Sequence, residues 1–153
     1  MTALLLVPLL ALAPAQADAC KPISVQRIAS AQALLDQSLE VEAIDRAGMV
    51  ERARILLEKT QEDDVACKAA KSLHKQASKM LKAAEPISAA ASLDDALMHA
   101  LERVESLEHA EQPDPAEIEV VRFMLAELGN HYSDDERVDA LVRRVIAVQR
   151  GEK

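Results

Sequence analysis

The chain has 153 residues, with 18 Lys and Arg against 26 Asp and Glu, for a formal net charge of −8. Half of it is hydrophobic, yet it holds one Phe, one Tyr, no Trp and only three Gly. An acidic chain of this kind lacks the basic domain typical of nucleic-acid binding, and its abundant helix formers and few β-branched runs argue against a sheet. The expectation is an all-α protein, a compact antiparallel bundle of five or six helices around an aliphatic core.

The first segment reads as a targeting signal. Ala3 to Ala13 is an apolar run too short to span a bilayer, and small residues follow at cleavage spacing, Ala15-Gln16-Ala17 or Ala17-Asp18-Ala19. Residues 1–19 are therefore expected to be a cleaved secretory signal, and residues 20–153 one helical domain in the periplasm or outside the cell. No later apolar run is long enough for a transmembrane span.

In an oxidising compartment the two cysteines, Cys20 and Cys67, are expected to pair. Their link would close a loop of about 48 residues, worth roughly 4 kcal/mol in the chain-entropy model. The competing use of Cys20 is as the acylated first residue of a lipoprotein, which Ala17-Asp18-Ala19 fits less well and which would leave Cys67 a free thiol. There is no CxxC, so a thioredoxin-type redox motif and a haem-attachment motif are both absent.

Six helical segments follow. Ser24 is placed to cap the first, with Ile28, Ala31, Leu35 and Leu39 at helical spacing and Val25 beside them. That face is lost around Val41 and Ile44, which predicts a break or a bend. The second segment sets Met49, Val50, Ala53, Leu56 and Leu57 on one side, with Gly48 weakening its start. Thr60-Gln61-Glu62-Asp63-Asp64 reads as a turn. The third helix is expected from about Val65 to Ala84, with Ala66, Ala69, Ala70, Leu73, Ala77, Met80, Leu81 and Ala84 in one stripe, ending at Glu85-Pro86. Capping signatures open the last three: Ser92 to Asp95, Asp114-Pro115-Ala116-Glu117, and Ser133 to Glu136. Gly129-Asn130 is expected to close the fifth. Pro22-Ile23-Ser24 recurs as Pro86-Ile87-Ser88, a faint echo that two related three-helix halves would explain. The tetratricopeptide pattern is not met.

Charge is distributed unevenly. On a helical wheel Lys68, Lys71, Lys75, Lys79 and Lys82 fall within an arc of about 80° opposite the apolar stripe of the third helix. The plain explanation is the solvated face of an amphipathic helix. Yet Lys71, Lys75 and Lys79 repeat at four-residue spacing with no Glu interleaved, where like charges repel by a few tenths of a kcal/mol. The sharper reading is a docking face for an anionic partner, an acidic protein or an anionic component of the cell envelope. A second copy of the chain is a further option, presenting Glu102, Glu105 and Glu108 of the fourth helix to the lysines.

No catalytic constellation stands out. The four histidines lie in no HExxH pattern, and neither a GxSxG nor a phosphate-cradling Gly-rich loop occurs. The expectation is a protein without enzymatic activity and without a cofactor. The best metal-ligand candidates are Glu102, Glu105 and His109, spaced to share one face of the fourth helix. Phe123 points away from the face set by Ile118, Val121, Leu125 and Leu128. Either the fifth helix is central and buried on two sides, or Phe123 joins Val120 in an exposed contact patch that Tyr132 could extend.

Overall fold

The computed structural model describes residues 20–40 and 45–152, and all regular structure among them is helical. Helix α1 spans Pro22–Glu40, α2 Arg46–Asp63, α3 Lys68–Ala89, α4 Leu93–His109, α5 Pro115–His131 and α6 Glu136–Arg150. The all-α bundle expected from composition is what forms. The secretory segment, residues 1–19, and the break expected between Val41 and Ile44 lie outside the described residues.

The caps explain where the helices begin, and several differ from expectation. Ser92 Oγ accepts from the Asp95 amide, and Asp114 accepts from the Ala116 amide with Pro115 in the first turn, as their sequence signatures require. Glu117, however, does not reach back to its cap; it pairs with Arg103 across the bundle at 3.0 Å. Ser133 gives way to Asp135, whose side chain accepts from the Arg137 amide. Ser24 is no cap either, since α1 starts at Pro22 and buries Ser24. In α2 the cap is Asp45, which accepts from the amide of Gly48 at 2.8 Å. A side chain at Gly48 would run into the Asp45 carboxylate, so this first-turn glycine makes room for the cap.

Two helices run further than their end signals suggest. The segment expected as a turn, Thr60 to Asp63, is the last turn of α2, and α3 begins at Lys68 behind Cys67, which supplies no side-chain cap. At its other end α3 passes through Pro86 to Ala89. Pro86 has no amide to donate to the Lys82 carbonyl, but burial of Ala84 and Ile87 on the core side outweighs that local cost. Likewise α5 continues past Gly129 to His131, and the left-handed glycine that ends a helix is Gly151, after α6.

The core falls into two clusters. One holds Ala31, Leu35, Val50, Ala53, Leu57, Ala70, Ala77 and Met80 from α1–α3, completed by Val120 and Phe123 from α5. The other holds Ala100, Val104, Val121, Leu125, Leu128, Leu141 and Val145 from α4–α6, with Ile87 at the end of α3. Helix α5 therefore carries both. In an antiparallel bundle sequence neighbours commonly pack side by side, but α3 packs far more on α5 than on α4. That contact joins the two three-helix halves. Of the two alternatives for Phe123 the central helix is the one that forms, and the exposed patch is corrected: Phe123 and Val120 are both 0% exposed, because α5 is buried on two sides. Tyr132 is half-buried against the second cluster.

The N-terminal end is tied to the turn between α2 and α3. Cys20 and Cys67 are at disulfide distance, with sulfurs 2.16 Å and Cα atoms 4.7 Å apart, as expected. Cys67 is therefore paired rather than free. The Lys21 amide donates to Asp64 Oδ2 at 2.7 Å, Lys21 Nζ donates to the Asp63 carbonyl at 2.8 Å, and Arg27 pairs with Asp63. The amide of Lys21 holds the Asp64 carboxyl below its ordinary range.

A buried polar cluster links α2 to α5. Arg46 is 8% exposed, and it donates to Asn130 Oδ1 and to the Ser38 carbonyl, both at 3.2 Å. Asn130 in turn donates to Glu127 Oε1 at 3.2 Å. Burial pushes the Glu127 carboxyl up, against the opposing pull of His131 and Arg46. The folded state thus favours the protonated acid. That stabilisation is complete below the unfolded pKa and is lost as pH rises through the higher folded value. Glu127→Gln keeps the acceptor for Asn130 and is expected to raise stability at neutral pH, with little effect in acid. Urea midpoints at the two pH values check this; a loss at neutral pH would mean that attraction to Arg46 outweighs burial.

Candidate functional site

The five lysines of α3 stand where the wheel puts them. Lys68, Lys71, Lys75, Lys79 and Lys82 are all exposed, while Ala70, Ala77, Met80, Ala84 and Ile87 on the opposite face are buried. Helical rise makes the row about 21 Å long, with successive ammonium groups offset by roughly 4.5–6 Å along the axis.

The row combines five clustered positive charges with a lack of counter-charges. Six arginines are bound to carboxylates within the fold: Arg27, Arg54, Arg103, Arg122, Arg137 and Arg144. Among the described residues, none of the five α3 lysines has a carboxylate within ion-pair distance. The ion pairs among the described residues are made by arginines, and the lysine row is left as a line of positive charge.

Next to the row the surface changes sign. At its C-terminal end a groove of about 400 Å³ opens between α3, α4 and α5, with Lys79, Lys82 and Pro86 on one wall and His99, Glu102 and Arg103 opposite. Arg103 is engaged by Glu117, so Lys79, Lys82 and His99 face Glu102 there. On the α1 side, a smaller cleft of about 300 Å³ is lined by Gln76, Asp36, Glu40, Glu119 and Arg122. Arg122 bridges Glu40 and Glu119, each at 3.1 Å. The positive strip is therefore about one helix wide.

The metal candidates do not assemble. Among the described residues no three His, Cys, Asp or Glu side chains are placed to hold one ion. Shared helical spacing brings Glu105 and His109 together, but the His109 ring turns to its own helix, with Nδ1 2.7 Å from the Glu105 carbonyl oxygen, and Glu102 does not complete a ligand set. The acidic face of α4 is also smaller than it reads in sequence. Glu108 is held by Arg144 through two hydrogen bonds of 2.8 and 2.6 Å, which keep its carboxyl below the ordinary range. Glu102 and Glu105 are exposed; Glu108 is not available to a second copy of the chain.

The sequence did not point to the Arg46–Asn130–Glu127 cluster, which borders a broad cleft of about 780 Å³ between the start of α2, the end of α5 and α6. Its only sequence signal is a charged residue set into an apolar face: Arg46 one turn before Val50, and Glu127 between Leu125 and Leu128. No helix among the described residues is long and apolar enough to cross a membrane. In comparisons with known proteins, the chain matches no family model, no curated sequence and no solved structure.

Proposed function

We propose that this is a non-enzymatic interaction or adaptor protein of the periplasm or the cell exterior, which offers the lysine row of α3 to an anionic partner. The observation that carries the reading is the row without counter-charges: five exposed lysines on one face, none ion-paired, in a chain of net charge −8 whose ion pairs, among the described residues, are made by six of its arginines. Such a field raises the rate of encounter with an anion and orients it. The paired cysteines and the absence of a membrane-crossing helix among the described residues are compatible with an exported protein.

Charge reversal tests the reading. Lys75→Glu with Lys79→Glu leaves the buried face of α3 untouched, so the fold should persist and circular dichroism should be unchanged. Capture of anionic probes by the immobilised double variant is expected to fall by at least about tenfold relative to the unaltered protein. The probes are linear polyphosphate, vesicles rich in an anionic lipid, and a helical peptide with Glu at every fourth position. Equal capture of all three by both proteins would contradict the proposal.

A further inference from the structure

Resting on that reading, the geometry points to a narrower partner: we infer that the α3 row binds an extended linear polyanion, a thread of regularly spaced negative groups lying along the helix, rather than a folded acidic protein or a bilayer. Three features of the surface lead there.

First, the row has no apolar anchor. The large hydrophobic side chains that reach solvent are Ile23, Val25, Ile55, Val65, Met98, Leu101, Val142 and Ile146, and none of them lies on α3. Between the lysines Ser72 is exposed and His74, Gln76 and Ser78 are half-buried, while Ala69, Leu73 and Leu81 are half-buried against the core and none of them stands fully in solvent. A stable protein interface needs a desolvated core, where aromatic residues and Arg are enriched and Lys is depleted. A row of ammonium groups separated by serines offers attraction without that core. It suits a partner held by replacement of counterions, as a polyelectrolyte is.

Second, the strip is too narrow for a plane. A bilayer pressed against α3 would meet the acidic flank as well: Glu102 in the C-terminal groove, and Asp36, Glu40 and Glu119 in the cleft toward α1. The apolar face that an interfacial helix would insert is already used by the core, through Ala70, Ala77, Met80 and Ala84. A thread about one helix wide gains the lysines and avoids the flank.

Third, the charges are matched in line. The lysines stand roughly 4.5–6 Å apart along the axis over about 21 Å, and all are lysines. Arginine would read planar groups through its fork, whereas lysine acts as a point charge and tolerates any anionic oxygen. At the C-terminal end Lys79 and Lys82 line a groove whose opposite wall carries Glu102, so the thread ends at α3 rather than crossing toward α4.

The test is binding of linear polyphosphate, long enough to cover the row, to the disulfide-intact protein as salt is raised between about 50 and 200 mM. If five lysines are engaged, log K is expected to fall against log salt with a slope of about −3.5, and each Lys→Gln change in the row should reduce that slope by about 0.7. A steep slope that the Lys→Gln variants leave unchanged would overturn the inference, because the polymer would then be bound elsewhere. Lysine-dependent binding of anionic vesicles or of the acidic helical peptide, under conditions where polyphosphate is not bound, would also overturn it while leaving the docking face intact. If no probe responds to Lys75→Glu with Lys79→Glu, the inference and the docking face fall together.

Discussion

Phe123→Ala is expected to lower the free energy of unfolding by about 3–5 kcal/mol, the usual range for truncating a fully buried aromatic residue. Phe123 is the largest side chain in the fold with no solvent contact. It is also one of two residues through which α5 enters the cluster built by α1–α3, the other being Val120. The rest of its buried face belongs to the cluster of α4–α6. Truncation therefore both removes apolar burial and opens a void at the joint between the two halves. Urea denaturation should show a lower midpoint, with the lysine face still exposed in the folded fraction. A loss below about 1 kcal/mol would mean that neighbouring side chains collapse into the space, and that the halves do not depend on this contact.

Breaking the Cys20–Cys67 link, by reduction or by changing both residues to Ser, is expected to cost about 4 kcal/mol, since the cysteines are 47 positions apart and the open chain regains the entropy of the closed loop. The effect should be felt at two places. The start of α1 would still be held by its polar ties, the Lys21 amide on Asp64, Lys21 Nζ on the Asp63 carbonyl and Arg27 on Asp63, and by its packing on α2. Helix α3 would lose the fixed residue at its N-terminus, where no side chain caps it, and Lys68 would fray first. Denaturant midpoints with and without reductant read the stability, and hydrogen exchange in the first turn of α3 reads the fraying. Unchanged midpoints would show that the polar ties suffice.

Much of this was legible in the sequence because it depends on local periodicity. The third helix declared both its faces: a lysine arc that the structure leaves in water, and an alanine-rich stripe of which Ala70, Ala77, Met80 and Ala84 are buried, Ala69, Leu73 and Leu81 half-buried, and Ala66 exposed ahead of the helix. Ser92 and Asp114-Pro115 announced their helices, since a cap acts within one turn. What was illegible depends on contacts between distant positions. Pro86 reads locally as a stop, yet α3 continues because Ile87 is needed in the second cluster. Ser133 and Asp135 are both competent caps, and the chain uses Asp135, whose side chain also holds Arg137.

The candidate site shows the same division. The lysine row was visible as geometry, but its freedom from ion pairs was not, because that depends on which carboxylates the arginines take. Glu108 looked like part of an acidic surface until Arg144, 36 residues away, was placed against it. Phe123 needed the docking of α5 on α3 before its side could be known. The pair Glu105 and His109 illustrates the limit of helical spacing as a metal signal: it brings two side chains to one face, but a closed ligand set needs a third group placed by the fold.

The most direct test of the lysine docking face is lysine reactivity in place. Brief acetylation of intact envelopes from cells that make the protein, and of the purified protein, can be followed at each lysine by mass spectrometry. The account predicts that Lys68, Lys71, Lys75, Lys79 and Lys82 are protected together in the envelope and become reactive on purification, while Lys59 on α2 reacts alike in both. Equal reactivity of the α3 row in both states would contradict it, and would reduce the row to the solvated face of an amphipathic helix.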